Sequence, residues 1–111
     1  MGKKHMPLIY VCSPYRGDIE LNVRNAQYYC RLVMEQGGIP FAPHLLFTQF
    51  LDDANASERQ QGLDMGAELL QRCDALWVFG RSTVGMEQEI ALAKELKKPI
   101  KAHDQFGGEK E

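Results

Sequence analysis

Glu89 is the residue of this sequence whose position best suits chemistry, because helical spacing separates it from Glu87. Residues three, four and seven apart share one side of a helix. Glu89 then points with Ala93 and Leu96 toward a sheet, whereas Glu87 points with Lys94 toward solvent. Burial can shift the pKa of an acid at the start of an apolar helix face toward a value that suits catalysis. The alternative is an acid that only favours the positive end of the helix dipole.

The turn before this helix is a candidate anion site. It follows the apolar run at residues 75–79 and reads Gly80-Arg81-Ser82-Thr83, with Gly85 just inside the helix. Backbone N–H groups are free at a helix start, where the dipole also favours negative charge. The turn therefore predicts a site for a phosphate or a carboxylate.

The length and composition of the chain limit the number of domains and the kinds of partner that it can have. The chain has 111 residues, of which 44% are hydrophobic and 25% charged, which fits one domain over residues 1–111. We expect residues 1–6 and 104–111 to be flexible tails. A net charge of -2 gives no basic field for a nucleic-acid backbone, so a nucleic-acid polymer is excluded as the expected partner.

The cysteines and the hydropathy pattern indicate a cytoplasmic protein. Cys12, Cys30 and Cys73 fall on apolar positions without metal-binding spacing, and an odd number argues against a disulfide framework. We interpret them as buried thiols. No apolar run approaches the ~18 residues that span a bilayer, so no membrane partner is expected.

The apolar runs and helical patterns alternate along the chain. Strands are predicted at residues 8–12, 39–42 and 75–79 and from Ile100, and helices after Asp18, from about Ser57 and after Thr83. Pro40 places the second strand at a sheet edge. This alternation predicts a single-domain, Rossmann-like α/β fold with a parallel sheet in the flavodoxin-like order 2-1-3-4 and helices on both faces.

Two further segments carry specific expectations. In the helix from Ser57, the predicted buried positions are Gly62, Met65, Gly66, Leu69 and Cys73. Asp64 is predicted on the solvent-exposed side of this helix. Residues 45–51 are too apolar for a surface loop, so we expect them to cover a pocket or a neighbouring subunit, or to fold back over their own sheet.

The predicted topology brings two distant loops together. Ligands of such folds bind at the carboxyl ends of the strands, where the winding direction reverses. That crevice is lined by residues 13–18 and 80–85, with Tyr10, Arg16, Thr83 and Glu89 facing it. The sequence has no GxGxxG and no Walker lysine motif, which gives standard dinucleotide or triphosphate sites little support.

Four motifs in this order resemble the nucleoside 2-deoxyribosyltransferase superfamily. They are Tyr10-Val11-Cys12 followed by Arg16-Gly17, the strand that ends in His44, Cys73-Asp74-Ala75, and Thr83-x-Gly85-x3-Glu89-x-Ala91-x-Ala93-x4-Lys98-Pro99-Ile100. The combination is most similar to the 2'-deoxynucleoside 5'-monophosphate N-hydrolases and to small bacterial and phage relatives of unknown function. Asp74 is interpreted as structural.

The resemblance implies a role for each matching residue. Glu89 matches a nucleophile that attacks the anomeric carbon of a deoxynucleoside, and Tyr10 matches the tyrosine that holds this carboxylate. The alternative for Tyr10 is an ordinary core aromatic. The substrate- or phosphate-binding set is Ser13, Arg16, Gly17, His44, Ser82, Thr83 and Gly85. Arg16 could instead be a surface turn residue, and the link between His44 and catalysis is open.

The resemblance also implies partners and exposes one departure. It implies a nucleoside or nucleotide substrate, no metal or cofactor, and a homodimer or higher homo-oligomer whose subunits complete each site.

The resembled family has an aspartate eight residues before the Asp74 position, where it helps to protonate the departing base; here that residue is Gly66. Two hypotheses follow, an N-glycosidase or 2-deoxyribosyltransferase and a non-catalytic nucleotide-binding protein.

Overall fold

The computed structural model describes residues 5–110 and contains one parallel sheet of four strands. The strands are β1 (Leu8–Cys12), β2 (Ile39–Phe41), β3 (Ala75–Phe79) and β4 (Ile100–His103). The helices are α1 (Ile19–Glu35), α2 (Pro43–Leu46), α3 (Ala56–Arg72) and α4 (Val84–Glu95). A 3-10 turn, Phe47–Gln49, follows α2. Among the described residues, no helix combines the length and apolarity needed to cross a membrane.

The strand order is β2-β1-β3-β4 and every neighbouring pair is parallel. This confirms the predicted α/β fold and the order 2-1-3-4. Pro40 lies in the edge strand β2, where a missing N–H interrupts no central ladder. The winding reverses between β1 and β3, so the carboxyl ends of these two strands open the crevice at which ligands of such folds bind.

Helices cover both faces of the sheet, because β1 and β3 carry apolar side chains on both faces. On one face Ile9, Val11 and Phe79 pack with Tyr29 and Val33 of α1. On the other face the core joins residues of the sheet to α3 and α4. Its buried members are Tyr10, Cys12, Leu70, Cys73, Leu76, Val78, Met86 and Ala93. The functional residues of β1 therefore face α3 and α4.

Side-chain caps fix where the long helices begin. Asp18 accepts a hydrogen bond from the backbone N–H of Leu21 at 3.1 Å, which confirms it as the N-cap of α1. Asn55 caps α3 through Glu58 N–H at 3.0 Å. α3 therefore begins at Ala56, one residue before the predicted start.

The inward face of α3 differs from the prediction at two positions. Met65 is 37% exposed, whereas Leu70 is 1% exposed and joins the core. The reason is that Gly66 and Leu70, four residues apart, define the line of closest contact with the sheet, so Met65 lies to one side of that line. Gly66 and Cys73 are buried as predicted, and Asp64 is exposed.

Residues 45–51 fold back toward the sheet edge. Phe47 is buried and packs edge-on against Phe41 with ring centroids 5.8 Å apart. Leu46 and Phe50 remain 46% and 61% exposed. The segment thus covers part of its own chain and also presents apolar side chains outward.

Residues 104–110 follow β4 in a hydrogen-bonded turn where the sequence predicts a tail. Asp104 N–H donates to Gly108 O at 2.8 Å, and Tyr29 Oη donates to Gln105 O at 2.6 Å. The predicted N-terminal tail falls largely on residues 1–4, outside the described residues. Asp74 accepts a hydrogen bond from Leu8 N–H at 2.8 Å, a contact of the structural kind expected for it.

The N-cap of α4 gives a stability prediction. Thr83 Oγ1 accepts a hydrogen bond from Met86 N–H at 3.2 Å. Thr83→Ala should lower the free energy of unfolding by about 1 kcal/mol, because a helix-end N–H loses its partner. Urea unfolding without ligand measures the loss. Thr83→Ser keeps the acceptor and should stay close to wild type, and equal losses in both variants would contradict the capping role.

Candidate active site

Tyr10 and Glu89 meet where β1 passes the first turns of α4. Tyr10 lies in the strand next to the switch point and is 2% exposed. Its hydroxyl donates a hydrogen bond to Oε2 of Glu89, which is partly buried. Glu87 is exposed, as the helical spacing predicts. A strand and a helix distant in sequence thus place a phenol against one selected carboxylate.

Cys12 holds the other oxygen of the same carboxylate. It lies two residues after Tyr10 on the same face of β1, and its Sγ is 3.4 Å from Oε1 of Glu89. Sequence reasoning treated Cys12 only as a buried thiol. The two-residue repeat of a strand, applied to Tyr10 and Cys12 together, was the signal that could have linked it to the site.

Burial controls the protonation of this group of side chains. Desolvation raises the pKa of Glu89, and the hydrogen bonds from Tyr10 and Cys12 partly offset that rise by stabilising the carboxylate. The pKa of Tyr10 is raised well above its usual value by burial and by the neighbouring carboxylate. Burial likewise raises the pKa of Cys12. Both donors therefore stay protonated and neutral, so each can donate to the Glu89 carboxylate.

A cavity of about 660 Å³ opens beside this pair, within the range typical of small-molecule sites. It is bounded by the end of β1, the segment after β2, α3 and the start of α4. Seven of the nine predicted site residues line it, namely Tyr10, Ser13, Arg16, His44, Thr83, Gly85 and Glu89. Gly17 and Ser82 are outside the lining.

Gly17 and Ser82 have other surroundings. Gly17 has φ +100 with open space around it, so it provides the left-handed turn between β1 and α1. Ser82 is exposed in the turn before α4. Their proximity in sequence to Arg16 and Thr83 does not bring them into the cavity wall, because adjacent loop residues point in different directions.

An ion pair crosses the rim of the cavity. Arg16 Nη2 lies 3.3 Å from Oδ2 of Asp53, and the two side chains are 67% and 47% exposed. Arg59, at the start of α3, also lines the cavity. Sequence reasoning missed Asp53, because a polar segment before a helix gives no clue to which loop it faces, and Arg59, because helical spacing alone does not show which side of α3 borders a cavity. The rim therefore offers two guanidinium groups, one of them already paired.

His44 lies in the cavity wall with an aromatic partner. Its ring stacks on Tyr15 with centroids 4.8 Å apart and planes 21° apart. Burial lowers the pKa of His44, so the ring is neutral at neutral pH. Tyr15 also lines the cavity, and sequence reasoning did not single it out. Together the two rings form a flat surface near the β1 loop.

Gly66 lies directly opposite the Tyr10 hydroxyl. A Cβ at this position would be 3.4 Å from Tyr10 Oη, an ordinary van der Waals contact. A larger side chain here would project toward the Tyr10–Glu89 pair. The glycine thus keeps the space next to the carboxylate open.

Comparison with known proteins places this fold in a family. Residues 7–103 match the model of a family described as Domain of unknown function (DUF7768). The chain belongs to this family. No curated protein matches the chain.

Among solved structures, this DUF7768 member is similar to the 2-deoxyribosyltransferase from the psychrotolerant bacterium Bacillus psychrosaccharolyticus. The TM-score is 0.73 and the sequence identity 16%, with 87% of this chain and 72% of the other covered. That enzyme is described as a biocatalyst for nucleoside synthesis. At this identity the likeness shows a shared fold, which agrees with the superfamily resemblance at the level of the fold.

Metal-binding side chains are not grouped in the part of this DUF7768 member that the structure describes. Within residues 5–110, no cluster of three or more His, Cys, Asp or Glu side chains has the geometry to hold an ion. All three cysteines are free thiols, with Cys12 and Cys73 buried and Cys30 only partly buried. The prediction of buried thiols is thus confirmed for two of them and wrong for Cys30, which lies at the edge of the α1 face.

The raised pKa of Glu89 gives a prediction for stability against pH. Because the folded-state pKa lies above the usual 4.5, the folded protein binds more protons than the unfolded chain between these two values. The contribution of Glu89 to stability is fully present below about 4.5 and is lost as pH rises through its folded pKa. Glu89→Gln should therefore gain stability relative to wild type as pH rises.

Urea unfolding at pH 4 to 8 measures this difference. Glu87→Gln is the matched control and should track wild type throughout, because Glu87 is exposed on the same helix. A difference between Glu89→Gln and wild type that stays constant with pH would show that Glu89 titrates normally.

Proposed function

We propose that this protein cleaves the bond between base and sugar in a deoxynucleoside or its 5'-monophosphate, as an N-glycosidase or a 2-deoxyribosyltransferase. One observation carries the proposal: Tyr10 and Cys12 each donate to a different oxygen of Glu89 beside an open cavity. A partly buried carboxylate with oriented oxygens is what attack on an anomeric carbon requires.

Glu89 acts as the nucleophile in this proposal. One carboxylate oxygen attacks C1' of the sugar, and the C1'–N bond breaks with its electron pair leaving on the base. The resulting glycosyl ester is then resolved by water, which gives hydrolysis, or by a second base, which gives transfer. Tyr10 orients the carboxylate through its hydrogen bond, and Cys12 holds the other oxygen, so the remaining lone pairs have fixed directions.

The phosphate of a 5'-monophosphate would lie between Arg16 and the start of α4, which both line the cavity. Arg16 contributes a guanidinium group, and the start of α4 at Thr83 and Gly85 contributes backbone N–H groups at the positive end of a helix dipole. Ser13 and His44 line the same space. Gly17 and Ser82 would act by shaping the two loops rather than by contact.

A non-catalytic nucleotide-binding protein is the second candidate. Gly66 favours it, because the resembled family has an aspartate at that position and this glycine faces the Tyr10 hydroxyl. General acid assistance is typically worth about 10²–10⁴-fold. A chain without it could retain the cavity for binding alone.

Base release from a substrate panel tests the proposed function. The protein is incubated with the common deoxynucleosides and their 5'-monophosphates, and free base is measured by chromatography. Glu89-dependent release from any of them supports the enzyme. Tight binding by calorimetry without release from any substrate would favour the binding protein.

We also propose that the protein forms a homo-oligomer that helps to close the cavity. Four apolar side chains are exposed on this side of the protein. Leu63 and Val84 line the cavity, and Leu46 and Phe50 lie in or next to segments that line it. A two-fold contact is the commonest way to bury one self-complementary apolar surface. Light scattering at micromolar concentration should give at least twice the monomer mass. A clean monomer would mean that each cavity is complete within one chain.

A further inference from the structure

The α3 wall of the cavity determines which groups can assist a departing base. Where α3 passes the Tyr10–Glu89 pair, it contributes Gly62, Gly66 and Leu70. The backbone at Gly66 comes closest, with space for a Cβ 3.4 Å from Tyr10 Oη. This wall is flat and apolar, so it can pack against the face of an aromatic ring.

The polar groups buried next to the pair are neutral. Tyr10 and Cys12 both donate to Glu89, and burial raises the pKa of each. Ser13 is 2% exposed, lines the cavity, and its Oγ has no hydrogen-bond partner among the described residues. A buried hydroxyl without a partner marks a position for a polar ligand atom. None of these three groups gives up a proton readily at neutral pH.

The other carboxyl groups of the described lining are held at the rim. Asp53 accepts from Arg16, and Glu58 lies eight residues before Gly66 on α3, which is about 12 Å along the helix axis. His44 is neutral at neutral pH, because burial lowers its pKa. Within the described lining of one chain, Glu89 therefore faces an apolar wall with no acid beside it, which favours a substrate that brings its own activation of the leaving base.

We propose that the substrate is an N-glycoside whose base carries a positive charge, such as a pyridinium or an N7-alkylated purine. The proposal rests on the proposed role of Glu89 as nucleophile. A neutral base needs a proton to leave well, whereas a cationic base leaves as a neutral molecule. The charge is also attracted by the Glu89 carboxylate, and the ring lies beside Gly66, where the missing side chain leaves space next to the Tyr10 hydroxyl.

The step balances without an acid. Glu89 Oε attacks C1', the C1'–N bond breaks, and its electron pair moves onto the ring nitrogen and cancels the positive charge. The glycosyl ester forms and the base departs neutral. Water then attacks C1', the ester C–O bond breaks, its electron pair returns to the Glu89 carboxylate, and the proton from water goes to solvent.

The test compares substrates matched in the sugar phosphate. The kcat/KM of base release is measured for 2'-deoxyguanosine 5'-monophosphate and for its 7-methyl derivative, with the 2'-deoxy form of nicotinamide mononucleotide as the pyridinium probe. Rates without enzyme and with Glu89→Gln are subtracted. We expect at least a 100-fold preference for the 7-methyl derivative, the lower end of the ~10²–10⁴-fold effect of general acid catalysis.

A matched pair of variants separates this preference from the intrinsic lability of a cationic substrate. Gly66→Asp places an acid beside the Tyr10 hydroxyl, and Gly66→Asn places an amide of the same shape there. Circular dichroism checks that both fold. Gly66→Asp should release guanine from the unmethylated substrate at least tenfold faster than Gly66→Asn, and the two should release 7-methylguanine equally.

The outcomes distinguish the two proposals. A wild-type preference below 100-fold, or equal guanine release by the two Gly66 variants, overturns the cationic substrate and leaves the N-glycosidase in place. Glu89-independent release, or no release from any substrate, overturns both. A preference of at least 100-fold for the 7-methyl derivative, together with faster guanine release by Gly66→Asp than by Gly66→Asn, supports both proposals.

Discussion

Replacing Glu89 by Gln should abolish base release, with a loss on the order of 10⁴-fold or more, as is usual when a nucleophile is removed. A glutamine keeps the shape of the side chain, and its one oxygen can still accept from Tyr10 or from Cys12, so the cavity should survive. What disappears is the negative charge that attacks the anomeric carbon. The measurement is kcat/KM for the best substrate of the panel.

Glu87→Gln is the matched control for that variant. Glu87 lies two residues earlier on α4 and is exposed, so its replacement should leave base release within about twofold of wild type. Equal losses in the two variants, or an unchanged rate in Glu89→Gln, would remove Glu89 from the mechanism. A burst of base release followed by a slower steady state in wild type would be independent support for a glycosyl ester.

Arg16→Ala should weaken binding of 5'-monophosphates by about tenfold and leave parent nucleosides nearly unaffected. A charge-assisted contact contributes about 1.5–3 kcal/mol, and the lower end applies because Arg16 is 67% exposed and screened by solvent. Calorimetric titration with one nucleoside and its monophosphate measures the difference directly. A nucleoside preferred over its monophosphate by the wild type would contradict a phosphate site here.

Two variants control for the loss of charge. Arg31 is 68% exposed in a helix pair with Glu35, so Arg31→Ala removes the same charge from α1 and should not alter either affinity. Asp53→Asn frees Arg16 from its rim partner and should tighten monophosphate binding. If Asp53→Asn instead weakens it, the ion pair serves to hold Arg16 in place.

The sequence by itself determined the order of elements and the strand that lies at the edge. Continuous apolar runs at β1 and β3 require helices on both faces, and Pro40 excludes β2 from the sheet centre. Helical spacing also separated Glu89 from Glu87, because each position on a helix faces a fixed direction relative to its neighbours. These features depend on residues close together in the chain.

The tertiary structure alone decided which side chains share the cavity. Periodicity cannot tell how far a helix is rotated when it docks, and for α3 that rotation placed Gly66 and Leu70 inward and left Met65 at the side. The contact of Cys12 with Glu89 and the pair between Arg16 and Asp53 join residues 77 and 37 positions apart. Such contacts are set by the packing of whole elements against one sheet, so no local pattern in the sequence encodes them.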